Sequence, residues 1–175
     1  LTIKFLTVEK KNYKAYDSMG SIEKWDSDRR YNRFISYENL ILNCALVSFD
    51  FNQDFIEGDF DGHPMGSVNG SRLNRSQLIK VKARTIDSIL KENNITNVDL
   101  FIIDVEGFEL NVLKGVDFNY CSPKFLCIEV YINDKEKIDN FLYEKNYELI
   151  CNLTNFNHKD EPYWDGTHND YLYKK

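Results

Sequence analysis

What this chain lacks narrows it before any motif is weighed. No apolar run approaches the roughly 20 residues that a helix needs to cross a membrane. The four cysteines, Cys44, Cys121, Cys127 and Cys151, form no Cys-x-x-Cys pair, and no histidine stands at zinc-finger spacing from them. Cys127 alternates with Leu126 and Ile128 in an apolar stretch and reads as a small core residue. A reducing, cytoplasmic setting is therefore expected. Basic clusters are scarce as well. Net charge is −6, and Arg29, Arg30 and Arg33, with Arg72 and Arg75, are the local basic groups. Binding a phosphate backbone takes clustered Lys and Arg, so nucleic acid is disfavoured as a direct substrate. Asn-x-Ser/Thr triplets start at Asn69, Asn74, Asn94 and Asn152, and in an asparagine-rich chain they read as chance matches.

Hydrophobic content of 42% with 14% aromatics argues against disorder. At 175 residues the chain reads as a single domain, 1–175, able to bury its own core. Strands are predicted over 3–8, 40–47, 78–83, 98–103, 125–131, 147–151 and 170–173. An antiparallel excursion is predicted within 49–61, and long loops over 58–76 and 155–167. Residues 12–25 carry Tyr13, Tyr16 and Met19 at helical spacing. Thr85 is placed to cap a helix bearing Ile86, Ile89 and Leu90, and Asn93-Asn94 to end it. A further helix carries Phe108, Val112, Leu113 and Val116 on one face. Asp134 is placed to cap another, with Ile138, Phe141 and Leu142 inward. This alternation predicts an α/β fold, with a mostly parallel sheet, helices on both faces and an antiparallel last strand.

The most informative stretch is 98–115. The apolar run Leu100 to Ile103 ends in two acids, Asp104 and Glu106, then Gly107, then a helical pattern closing on Lys114-Gly115. In open α/β sheets ligands sit at the carboxyl ends of the strands. Asp104 is thus placed where an acid would meet a ligand, and Glu106 follows two residues on. Glu129 interrupts the next apolar run, and a buried carboxylate needs a partner or a job.

Asp104-Val105-Glu106-Gly107-Phe108-Glu109, then Val112-Leu113-Lys114-Gly115, then Ile128-Glu129-Val130 resemble the FkbM family of S-adenosylmethionine-dependent methyltransferases. Thr85-Ile86-Asp87-Ser88-Ile89-Leu90 resembles the family's Thr-Leu-Asp-x-Leu-Leu segment. The likeness reaches Asn43-Cys44-Ala45-Leu46 and Val8-Glu9, and spans roughly residues 5 to 131. It implies a Rossmann-like methyltransferase fold with S-adenosylmethionine as cofactor. The family's opening strand and glycine-rich turn have no counterpart here, because Ser18-Met19-Gly20-Ser21 follows no strand, so the domain is expected to be N-terminally incomplete. By the resemblance, Glu9 would accept the cofactor's ribose hydroxyls, Cys44 and Ala45 would let the adenine approach, and Asp104 would contact the cofactor or the acceptor. Asp104, Glu129 and Glu106 are the candidate catalytic residues. Asp104 could equally help hold a metal, although no metal site is assigned.

His63, His158 and His168 lie in or beside loops and are weaker candidates for a general base. Tyr163 and Trp164 could stack on a sugar. The expected activity is O-methylation of a small-molecule hydroxyl, on a sugar or another acceptor, by a protein of unspecified oligomeric state. A cofactor-free Rossmann-like scaffold and a metal-dependent hydrolase are the alternatives.

Overall fold

The computed structural model describes residues 2–6, 16–17, 42, 44–59, 67–68, 78–154, 157, 159, 162 and 164–175, the first two segments by backbone only. The nine strands among them are β1 (Thr2–Leu6), β2 (Tyr16–Asp17), β3 (Ala45–Leu46), β4 (Phe55–Gly58), β5 (Ile79–Arg84), β6 (Leu100–Asp104), β7 (Phe125–Tyr131), β8 (Glu148–Asn152) and β9 (His168–Lys174). The helices are α1 (Ile86–Glu92), α2 (Glu109–Leu113) and α3 (Lys135–Glu144). A six-stranded sheet runs β2-β1-β6-β7-β9-β8, and a three-stranded sheet runs β3-β5-β4.

β6 and β7 are rich in aromatic and β-branched residues, which suit a pleated, packed surface. They pair in parallel, with Leu100 opposite Phe125 and Ile103 opposite Ile128. Along β7 burial alternates: Leu126, Ile128 and Val130 are fully enclosed, whereas Phe125, Cys127, Glu129 and Tyr131 are half-buried. The enclosed face joins Phe101 and Ile103 of β6 in the main core. Each large side chain enclosed in this way contributes about 1.5–3 kcal/mol. The other face carries the polar residues.

α1, α2 and α3 all feed this one core cluster, through Ile86, Ile89 and Leu90, through Val112 and Leu113, and through Ile138 and Leu142. Thr85 caps α1 as its sequence predicts, its Oγ1 accepting from Ser88 N at 3.0 Å. Asn93 and Asn94 end that helix, Asn94 in a left-handed conformation (φ 54°). Asp134 occupies the N-cap position of α3 but makes no capping bond there; its carboxylate pairs with Lys137 at 2.7 Å.

The mostly parallel sheet is corrected. Among the described strands, parallel pairing is limited to β6–β7 and β3–β5. β1–β2, β1–β6, β4–β5, β7–β9 and β8–β9 are antiparallel. Continuous apolar runs signal enclosure on both faces and are silent about direction, which long-range pairing sets. The last strand is antiparallel, as expected, and extends from His168 to Lys174. β4 is likewise the expected antiparallel excursion. Within 12–25, the described Tyr16 and Asp17 form a strand instead of a helix; three residues at helical spacing are a thin signal, and aromatics favour strands as well. The rest of that stretch, and most of 58–76, lies outside the described residues.

One close approach ties the two sheets. A Cβ on Gly115 would sit 2.2 Å from Val47 O. Around it Asp87 N donates to Gly115 O at 3.0 Å and Phe49 N to Lys114 O at 3.3 Å. The glycine closing Val-Leu-Lys-Gly is where two stretches of backbone touch.

Candidate active site

The site forms at the carboxyl ends of β6 and β7. Their register sets Ile103 beside Ile128, so the next residues, Asp104 and Glu129, fall side by side. After Asp104 the chain turns sharply. Glu106 (φ 55°) and Gly107 (φ 93°) both take left-handed conformations. Space is open around Gly107, so glycine is favoured there by backbone conformation and not by crowding. Glu106 has no such freedom, and a non-glycine residue held at positive φ is uncommon enough to suggest a functional constraint.

Glu109 holds the turn. Its side chain reaches back, and Oε1 accepts from Val105 N at 3.1 Å and Gly107 N at 3.0 Å. Glu109 is only 2% exposed. Burial pushes its carboxyl group up to about 7, against the opposing pull of the backbone hydrogen bonds. Sequence reading placed Glu109 only at the positive end of a helix and missed this role. The available signal was Glu-Gly-x-Glu, a reach-back spacing akin to a capping box.

Three carboxylates gather beyond the turn. Asp104, Glu106 and Glu129 each offer one oxygen to a group lying within 4.8 Å. Glu106 Oε2 accepts from the Tyr131 hydroxyl at 2.9 Å, which ties the turn to the tip of β7. Glu129 Oε1 lies 3.4 Å from His168 Nε2, and Oε2 is buried with no hydrogen-bond partner among the described residues. Burial, followed by Asp104, Glu106, Glu109 and Asp170, pushes Glu129 up to about 9. Asp104 keeps an exposed edge, yet the protein around it desolvates its carboxyl group and, with Glu106 and Asp170, raises it. Asp170 stands directly across the β7–β9 ladder from Glu129 and is itself raised by burial. It is a fourth acid that sequence reading did not single out.

His168 opens β9, opposite Tyr131. Its Nδ1 lies 3.5 Å from Asp165 Oδ1 and 3.1 Å from Thr167 Oγ1. Its ring centroid is 5.5 Å from that of Tyr131. Trp164, considered above for stacking, donates from Nε1 to His168 O at 2.9 Å and so anchors the start of the strand.

The other candidates are placed elsewhere. Cys44 and Ala45 are 4% and 1% exposed, with Ala45 on β3 of the smaller sheet and Cys44 in the hydrophobic core. Glu9, His63, His158 and Tyr163 lie outside the described residues. The assembled site is a half-buried cluster of negative charge, suited to a cationic or hydroxyl-rich guest and able to take up a proton. Carboxylates gather this way without an ion as well, so the trio on its own assigns no metal.

The family description Methyltransferase FkbM domain matches residues 11–149. No curated protein and no solved structure matches the chain. The matched span takes in the tips of β6 and β7, the turn held by Glu109 and the close approach at Gly115. The chain belongs to the FkbM methyltransferase domain family.

Proposed function

We propose that this chain is an S-adenosylmethionine-dependent O-methyltransferase acting on the hydroxyl of a small molecule, with carbohydrate as the acceptor class. One observation carries the reading: Asp104, Glu106 and Glu129 converge at the carboxyl ends of a parallel strand pair, where open α/β sheets hold their ligands. The donor set fits the cofactor's charge, since the Asp104 and Glu106 carboxylates complement a sulfonium and an ammonium. Asp104 would meet the ammonium or the acceptor, Glu9 the ribose, and the chain at Cys44 and Ala45 the adenine. Bound S-adenosylmethionine supplies a methyl group already activated on sulfur.

The protein's own task is to align the acceptor oxygen and remove one proton. Asp104 and Glu129 flank the same point, so they orient the hydroxyl and one of them takes its proton. Paired carboxylates accept several hydroxyls at once, which favours a sugar over an isolated alcohol. The four free cysteines accord with a reducing compartment such as the cytoplasm.

Calorimetry with S-adenosylmethionine and S-adenosylhomocysteine, paired with label transfer from the methyl donor to a panel of sugars, tests the proposal. Heat with both nucleosides and labelled sugar are expected. Asp104→Asn should keep the fold and lose turnover. No heat with either nucleoside would instead favour a cofactor-free scaffold, and wild-type turnover in Asp104→Asn would remove that residue from the site.

A further inference from the structure

We propose that Glu129 Oε2 is the atom that takes the acceptor's proton, and that His168, held between Glu129 and Asp165, is the positioning residue that orients Glu129. The inference rests on the methyltransferase reading and assigns the base within it.

The three acids at the strand tips are not equivalent. Glu106 already accepts from Tyr131. Asp104 keeps an exposed edge, where water competes for its oxygens. Glu129 is only 12% exposed in its side chain, and one of its oxygens is buried without a hydrogen-bond partner among the described residues. A buried acceptor left unpaired costs stability that a bound hydroxyl would restore. Desolvation also makes a carboxylate a stronger base.

His168 occupies the other side of Glu129. Its Nε2 is 3.4 Å from Oε1, and its Nδ1 is 3.5 Å from Asp165 Oδ1, so one imidazole bridges two carboxylates. Thr167 Oγ1, 3.1 Å from Nδ1, and the indole bond from Trp164 to the His168 carbonyl fix the ring at the head of β9. With the ring set against Oε1 and backed by Asp165, Oε2 is the oxygen of Glu129 left for the acceptor.

His168 can steer this carboxylate without repelling it, whereas the other groups facing Glu129 are acids: Asp104, Glu106 and Glu109 from β6 and its turn, and Asp170 from β9. In the transfer the acceptor's O–H bond breaks and its proton passes to Glu129 Oε2. The oxygen's electron pair forms the new bond to the methyl carbon, and the pair of the broken C–S bond stays on sulfur.

The test is the pH dependence of kcat, with donor affinity and acceptor KM measured alongside. Glu129→Gln should lose about 100- to 10,000-fold in kcat with donor affinity unchanged. The limb of wild-type kcat that rises with pH as Glu129 loses its proton should be absent from Glu129→Gln. His168→Gln should lose about 10- to 100-fold in kcat, with acceptor KM and donor affinity little changed. Asp165→Asn should lose kcat in the same way by less. Wild-type kcat in His168→Gln or in Glu129→Gln overturns the pair while leaving donor binding and the methyltransferase reading in place. If His168→Gln fails to fold, Asp165→Asn decides, and wild-type kcat there overturns the pair. Loss of donor binding by the wild-type protein would instead sink the underlying reading.

Discussion

Glu109 offers the sharpest prediction, because its carboxyl group both holds the turn and titrates. Burial raises it from 4.5 to about 7, so the folded protein retains a proton that the unfolded chain has already released. The sign follows from linkage. Between the two values the folded state binds more protons, so stability falls as pH rises through that window and levels off above it. At about 1.4 kcal/mol per unit, Glu109 should cost the fold about 2.5 kcal/mol more at about pH 8 than at about pH 5. Asp104 and Glu129 act in the same direction, so the wild-type curve alone cannot isolate Glu109. Glu109→Gln can, since the amide oxygen still accepts from Val105 N and Gly107 N but does not titrate. Urea unfolding at a series of pH values should show the variant close to wild type in mild acid and gaining on it by about 2.5 kcal/mol in mild base. Glu109→Ala, which strips both N–H groups of their acceptor, should lose about 2–4 kcal/mol even in acid. Parallel curves for wild type and Glu109→Gln would refute the titration, and an alanine variant as stable as the glutamine one would refute the role in the turn.

Gly115→Ala should be strongly destabilising, by about 3 kcal/mol or more, because its methyl group would collide with the Val47 carbonyl and not with a side chain that can swing aside; an unchanged urea midpoint would contradict that close approach. Thr85→Ala should lose about 1 kcal/mol through the missing bond to Ser88 N, and thermal melting checks it, with Thr85→Ser expected to retain most of the stability.

Local chemistry was readable in advance where a few neighbouring residues decide it. The Thr85 cap needs only its own turn, and the bounds of β7 follow from Pro123 and from an apolar run of the right length. Asp104 and Glu129 could be paired because both end or interrupt apolar runs and so crowd toward strand tips. Strand direction was not readable, since an enclosed strand has the same composition whichever way its neighbour runs. Asp170 and His168 join the site only through the antiparallel register of β9 on β7, a pairing across some 40 positions of chain that no local pattern encodes. Glu109 escaped for a different reason. A glutamate early in a helix suits the helix dipole, and that sufficient explanation concealed the reach-back bonds.

The two-sided character of β7 also bears on how this enzyme can diversify. Leu126, Ile128 and Val130 answer to the fold, while Cys127, Glu129 and Tyr131 between them answer to whatever lies on the opposite side. Variation at the first set is filtered by whether the protein survives at all, and at the second by what it can work on. Substrate range can therefore drift, or be redirected by library selection at positions 127, 131 and 170, while the scaffold beneath keeps its stability.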